Sequence, residues 1–282
     1  MENFEIKELP AELAGKVKAC QDILVSLGRV VVAFSGGVDS SFLLAMAVGS
    51  LGRDNVLAVT NVSAIHPRID SSEARAVAAE LDAEMLEVTG RELEDHRFKS
   101  NPPDRCYYCK REIFGSLTKL AAIRGYKAVL SGANADDVGD YRPGARAEAE
   151  LGIRRPLLEA GLTKAEIRQA SRAMGLSTAG KPSMACLASR IPYDQPITAQ
   201  KLARIEQAET LLRELGFGQY RLRDHETLAR IEVPPDEFDR LLANRRRIVD
   251  ALKQLGYTYI TLDLQGFRSG AMNETLGKEI KS

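Results

Sequence analysis

What the sequence lacks narrows its reading first. Lys and Arg together number 39 and Asp and Glu together 39 over 282 residues. No excess of one sign therefore draws the chain as a whole to nucleic acid or to an anionic membrane, although a local basic patch is compatible with that balance. No stretch approaches the roughly 20 apolar residues that span a bilayer. The opening Met1-Glu2-Asn3-Phe4-Glu5 has neither a basic nor an apolar segment. That excludes a signal peptide and makes the cytosol the expected compartment. Internal repeats and low-complexity tracts are absent. The three histidines, His66, His96 and His225, are scattered, and no pair has metal-ligand spacing. The remaining composition, 44% hydrophobic and 28% charged, is that of a globular protein. The length suits one large domain or two smaller ones.

The most informative motif is Ser35-Gly-Gly-Val-Asp-Ser40. It follows the apolar run Arg29-Val-Val-Val-Ala-Phe34 and opens a helical stretch over residues 41–48. A strand, a glycine turn and a helix N-terminus make an anion site, because glycine lets the backbone approach and the first helical N–H groups point at the ligand. The loop lacks the Gly-Lys-Ser/Thr ending of a Walker A loop. It resembles the PP-loop of ATP pyrophosphatases, which implies cleavage of ATP between the α- and β-phosphates and transfer of AMP to a substrate oxygen.

Leu13, Val17, Cys20, Leu24 and Leu27 recur at three- and four-residue spacing and predict an amphipathic helix before the first strand. Strands are expected over 55–62, 84–88 and 127–131. Helices are expected from the capping box Asp70-Ser-Ser-Glu73 to about 81, over 110–124, and from Thr163-x-x-Glu166 to about 175. Residues 90–105, with Pro102-Pro103, read as a loop or broken helix. Strands alternating with helices predict an α/β fold with a Rossmann-like, doubly wound parallel sheet, whose ligands sit at the carboxyl ends of strands. The Ser35 loop and the segment Gly132-Ala-Asn-Ala-Asp-Asp137 both fall at such ends. Past about 181 the pattern changes to a long helix over 198–215, short strands near 220–223 and 229–233, a helix over 234–255 and a last strand over 257–264. This predicts two domains, 1–181 for the nucleotide and 182–282 as a smaller α+β domain for substrate binding and oligomer contacts. The boundary falls between 176 and 197, and the tail past Gly266 is expected to be mobile.

Of four cysteines, Cys20 lies on the buried stripe of the first helix and reads as a structural thiol. Cys106-Tyr-Tyr-Cys109 and Cys186 remain. Without Cys20 they do not make a four-thiolate zinc site. They fit a cluster held by three thiolates with one iron open, or a redox pair plus a separate thiol, or an incidental spacing.

Several segments together resemble one family. They are Ser35–Ser40, Asn101-Pro-Pro-Asp-Arg-Cys-Tyr-Tyr-Cys-Lys110, Gly132–Asp137, Lys181-Pro-Ser-Met-Ala-Cys-Leu-Ala-Ser-Arg-Ile-Pro192, Arg221-x-Arg-x-His225 and Ala229-Arg-Ile-Glu232. In this order, over nearly the whole chain, they are similar to the LarE family. These are ATP-dependent sulfur transferases that help build the nickel-pincer nucleotide cofactor of lactate racemase. The resemblance implies a pyridinium dicarboxylate mononucleotide whose carboxylates are adenylated and converted to thiocarboxylates. It implies two sulfur sources. Some members give up the sulfur of the later cysteine, leaving dehydroalanine. Others carry sulfur on a [4Fe-4S] cluster. Cys106 and Cys109 align this chain with the second group, while Cys186 also matches the sacrificial position. A homo-oligomer, with a hexamer as one arrangement, and a sulfur-donor protein or free sulfide complete what is implied; nucleic acid and membrane are not partners.

On this reading ATP and Mg²⁺ meet Ser35, Gly36, Gly37, Val38, Asp39 and Ser40, with Asp39 the Mg²⁺-linked carboxylate or, in the plainer alternative, a helix-start residue favoured by the dipole. Gly132 and Asn134 lie near the adenosine or the α-phosphate, and Asp136 and Asp137 serve equally as caps. An anionic substrate needs fixed cations, so Arg221 and Arg223, on one strand face, with Ser189 and Arg190 just past Cys186, are substrate candidates. Glu232 orients the arginines, and His225 beside them stays open. Arg245-Arg246-Arg247 reads as a solvated face or an oligomer contact. Three alternatives compete. A PP-loop tRNA thiolase with a three-cysteine cluster needs a basic face that the balanced charge does not suggest. An amide-forming ligase of the NAD- or GMP-synthetase kind has no use for three cysteines. A thiolate-bound metal or redox module on an inactive nucleotide fold conflicts with the intact loop.

Overall fold

In the computed structural model, residues 9–138, 143–182, 185–268 and 270–276 are described. The expectations for residues 1–5, for Ser183 and Met184 of the cysteine loop and for the end of the tail lie outside them. The elements run α1 (Ala11–Leu27), β1 (Val30–Ala33), α2 (Val38–Leu51), β2 (Val56–Val62), α3 (Arg68–Glu80), β3 (Glu84–Thr89), α4 (His96–Lys99), α5 (Arg105–Arg124), β4 (Ala128–Leu130), α6 (Pro143–Glu150), α7 (Pro156–Glu159) and α8 (Lys164–Ala173). They continue with α9 (Ala199–Glu214), β5 (Arg221–His225), β6 (Leu228–Glu232), α10 (Phe238–Ala243), α11 (Arg245–Gln254) and β7 (Tyr259–Leu262). These fall into two compact units. One comprises the described residues within Met1–Ser63, Arg68–Glu92 and Cys106–Met184; the other takes Ala64–Pro67, Leu93–Arg105 and those within Ala185–Ser282. No described helix is long and apolar enough to cross a membrane.

In the first unit four parallel strands stand in the order β3-β2-β1-β4. Strand alternation sends successive side chains to opposite faces. Val30, Val32, Val56, Ala58 and Leu130 accordingly join the core formed with α1, α2 and α8, while Val31, Leu57, Val59 and Val129 pack with Phe114, Leu117 and Ala121 of α5. Both faces are covered, so β1 reads as an unbroken apolar run rather than an alternation. Residues 38 and 40–48 of α2 are all buried, as expected of a helix enclosed by core. Because β2 and β4 flank β1, the strand order reverses at β1, and the loops after β1 and β4 open onto the same carboxyl edge.

In the second unit β5 and β6 pair antiparallel, with Arg221 opposite Glu232, and β6 pairs parallel with β7. Leu202, Ile205, Ala208 and Leu212 are the buried residues of α9 with Glu209, and Ile248 and Leu252 those of α11.

Two local expectations shift. Helix α3 begins at Arg68, directly after Pro67, so Asp70 lies inside its first turn instead of capping it. The helix expected over 234–255 breaks at Asn244, which separates α10 from α11.

Candidate functional site

The loop between β1 and α2 is shaped by two glycines and two hydroxyls. Gly36 has φ +68°, and a Cβ there would lie 3.0 Å from the Ala74 Cα, so both conformation and space require glycine. The Ser40 hydroxyl meets the Ser35 hydroxyl at 3.1 Å and lies 3.3 Å from the Ser35 N–H, which donates to it. The Gly37 N–H donates to the Ser35 hydroxyl at 3.4 Å. The first N–H groups of α2 have no intrahelical acceptor and are available to an anion. From β4, Gly132 approaches so closely that a Cβ would lie 3.1 Å from the Ser40 nitrogen. Asn134 is buried and caps the short turn that follows: its Oδ1 accepts from the Asp136 N–H at 3.0 Å, and its own N–H donates to Asp137 at 3.1 Å. Asp136 in turn accepts the Lys164 N–H at 2.8 Å, so it caps α8.

Asp39 faces the loop with an uneven environment. One carboxylate oxygen takes the Lys164 ammonium, while Oδ1 is buried without a hydrogen-bond partner. Burial pushes this carboxyl above its usual range, and Lys164 pulls it part of the way back. An oxygen left in that state fits a divalent cation, whose preferred ligands are carboxylate oxygens. A second lysine stands at the loop: the Lys181 ammonium donates to the Gly36 carbonyl at 3.0 Å and pairs with Glu73 at 2.6 Å. Arg168 holds the turn carrying Lys181 through the carbonyls of Ala179 and Lys181.

In the second unit Cys186 is half-buried and precedes a 3₁₀ turn, Leu187–Arg190. The Ser189 hydroxyl donates to the Cys186 carbonyl at 2.8 Å. Arg190 is wholly buried. Its Nε and Nη2 form a bidentate pair with Glu209 at 2.9 and 2.8 Å, and its Nη1 donates to the Ala185 and Cys186 carbonyls and to Ser189 Oγ. These partners take the whole fork, so the position expected to bind substrate instead grips the cysteine turn. Arg223 pairs with Glu232 through both arms at 2.8 Å and donates to the Ser189 carbonyl at 2.8 Å. Glu232 thus orients Arg223, and it also meets Arg230 at 3.2 Å. Arg221 is buried against the Phe267 ring. Burial, with Arg190 close by, lowers its guanidinium to about 10, still charged at neutral pH. Burial and the charge of Arg230 lower His225 from its ordinary value.

A family model described as NAD synthase matches residues 7–97, which hold the Ser35–Ser40 loop. Over the whole chain, the pyridinium-3,5-bisthiocarboxylic acid mononucleotide synthase of Lactiplantibacillus plantarum is 41% identical over 268 residues, 95% of this chain and 97% of the relative. The chain belongs to the LarE family. An uncharacterized protein of Synechocystis is 38% identical over 270 residues, 94% of this chain and 100% of its own length. A glutamine-dependent NAD(+) synthetase of Aquifex aeolicus is 37% identical over only 65 residues, 23% of this chain. A LarE-family chain with this loop is an ATP-dependent enzyme.

Within the LarE-family chain the other cysteines divide by setting. Cys20 is fully buried and its thiol is pushed up to about 12 by burial, as suits a core position. Cys106, exposed, and Cys109, half-buried, are three residues apart near the start of α5, hence on one helix face. Two thiolates so spaced suit a soft metal or an iron–sulfur cluster. Among the described residues no three His, Cys, Asp or Glu gather as a metal site. His96 is exposed and His66 half-buried, and Arg245, Arg246 and Arg247 form an exposed face.

Sequence reasoning missed Lys164, Arg168, Lys181 and Glu209 as site residues. For Lys164 a signal existed. The Thr163-x-x-Glu166 box fixes a helix start, and the residue after Thr163 is the one whose N–H and side chain reach back across the sheet edge.

Proposed function

We propose that this chain adenylates the carboxylates of a pyridinium dicarboxylate mononucleotide and converts them to thiocarboxylates for a nickel-pincer nucleotide cofactor. The observation that carries this reading is the setting of Cys186. A half-buried thiol stands on a turn gripped by buried Arg190 and Arg223, with buried Arg221 on the same strand as Arg223. Arg190 and Arg223, each neutralised by a buried glutamate, fix the turn, and Arg221 is the guanidinium suited to an anionic acyl substrate.

A carboxylate is a poor electrophile, and AMP supplies the leaving group. The N–H groups of Gly37, Val38 and Asp39 and the hydroxyls of Ser35 and Ser40 bind the departing pyrophosphate. Gly132 and Asn134 flank the adenosine or the α-phosphate. Asp39, with its buried partnerless oxygen, is the residue that would hold Mg²⁺, whose charge would offset that of the phosphates. Arg221 binds the substrate's phosphate or a carboxylate, while Ser189, Arg190, Arg223 and Glu232 fix the turn on which Cys186 stands. Cys106, Cys109 and Cys186 are the residues that would hold a [4Fe-4S] cluster, which would supply sulfur when bound. On the same reading the protein is a cytosolic homo-oligomer that draws on a donor protein or free sulfide.

The test is substrate-dependent pyrophosphate release. Asp39→Ala is expected to abolish it in a folded protein. Arg221→Met is expected to weaken substrate binding by about tenfold to a hundredfold, the loss of one charge-assisted contact of about 1.5–3 kcal/mol. Normal release from folded Asp39→Ala, or unchanged substrate affinity in Arg221→Met, overturns the corresponding assignment.

A further inference from the structure

The two lysines at the nucleotide loop are held in different ways. Lys181 has fixed partners on the protein: its ammonium lies between Glu73 and the Gly36 carbonyl, and its own carbonyl is held by Arg168. Lys164 has a fixed backbone and a movable head. Its N–H is held by Asp136 at 2.8 Å, and the preceding Thr163 forms a reciprocal capping box with Glu166. Its ammonium, at the end of a flexible four-carbon stem, rests on Asp39 and is about a quarter exposed.

The Asp39 carboxylate has two claimants. Its Oδ1 is buried and unpartnered, while Oδ2 carries Lys164. A divalent cation arriving with a nucleotide outcompetes an ammonium for a carboxylate, because it brings twice the charge at shorter range. The displaced ammonium then needs an anion, and the triphosphate beside the first turn of α2 is the one that arrives at the same moment. We propose that Lys164 is the resting counter-ion of Asp39, and that on nucleotide binding it passes to the phosphates as the metal takes its place. The exchange leaves no charge uncompensated in either state. It couples metal to nucleotide, because Asp39 is held against metal alone and is released when a phosphate can accept the lysine.

This inference rests on Asp39 being the metal-linked carboxylate, and the test separates the two. Binding of Mn²⁺ alone, and of α,β-methylene-ATP with Mg²⁺, is measured calorimetrically for the wild type, Lys164→Met and Asp39→Asn, with circular dichroism melting as the check on folding. Lys164→Met is expected to bind Mn²⁺ alone about tenfold tighter than wild type, since its competitor is gone, and to bind the magnesium nucleotide about tenfold more weakly, since a phosphate contact is lost. A merely structural lysine does not move these affinities in opposite directions. Folded Lys164→Met with both affinities unchanged, or both shifted the same way, overturns the exchange if Asp39→Asn still weakens binding of the magnesium nucleotide. An Asp39→Asn protein that binds metal and nucleotide like the wild type overturns the underlying assignment of Asp39 instead.

Discussion

At Gly132 a methyl group would lie 3.1 Å from the Ser40 nitrogen and 3.3 Å from the Asp39 carbonyl carbon, both backbone atoms of the nucleotide loop. Neither neighbour is a flexible side chain that can step aside. Gly132→Ala therefore pushes the first turn of α2 away from β4. Overpacking of this kind costs about 1–3 kcal/mol, and here it falls on the segment proposed to bind phosphate. The expected outcome is a nucleotide affinity lowered by roughly tenfold or more, read by calorimetry, with the fold retained by circular dichroism. Unchanged affinity would show that the loop reaches its ligand by another face. The motif Ser35-Gly-Gly-Val-Asp-Ser40 made the loop legible, because its residue types suffice for its chemistry. Gly132 was legible only as a glycine after a strand. That its missing side chain admits the loop itself depends on β4 lying next to β1, which no local pattern encodes.

Among the elements, the turn Leu187–Arg190 shows the limit of reading charge from sequence. Arg190 follows a cysteine and reads as an anion ligand, yet all its donors go to Glu209, Ser189 and two carbonyls. The partner, Glu209, lies on α9 at a buried position of a helix whose other inward residues are apolar, and it also accepts the Leu222 N–H at 3.0 Å. A buried carboxylate of this kind has no signature in the sequence, since it differs from a solvated glutamate only in what packs against it. Removing one partner of a buried pair leaves the other uncompensated. Arg190→Met is therefore expected to destabilise the second unit by about 3–5 kcal/mol and to loosen the cysteine turn, leaving the Cys186 carbonyl to Ser189. Urea unfolding reads the first effect, and a faster alkylation of Cys186 under native conditions reads the second. An unfolding midpoint equal to wild type would show that the pair is dispensable. Capping was the opposite case. Thr163-x-x-Glu166 states its own geometry within four residues, and the structure forms the reciprocal bonds. The break at Asn244 was not readable, because residues 238–254 carry helical spacing on both sides of it.

At the scale of the molecule, alternating strands and helices implied a parallel sheet, but not its order. The order β3-β2-β1-β4 follows from long-range packing, with α2 enclosed between β1 and the helices α1 and α8. The proposed site residues are divided in the same non-local way. The Ser35–Ser40 loop and the Cys106, Cys109 pair belong to one unit, and Cys186, Arg221 and Arg223 to the other. The sulfur source is a proposal that iron content can test. On the proposed reading Cys106, Cys109 and Cys186 would be the three thiolates of a [4Fe-4S] cluster with one iron left for a non-protein ligand. Protein prepared without oxygen is therefore expected to contain about four irons per chain, and Cys106→Ser and Cys186→Ser are each expected to lose them. Cys20→Ser is expected to keep them, because that thiol is buried in the core and held protonated. With added sulfide the loaded enzyme is expected to complete more than one turnover. Mass spectrometry of Cys186 after reaction supplies the decisive contrast. An unchanged cysteine agrees with the cluster, while loss of the elements of H₂S in step with product assigns the sulfur to Cys186 itself and leaves the pair on α5 outside the transfer.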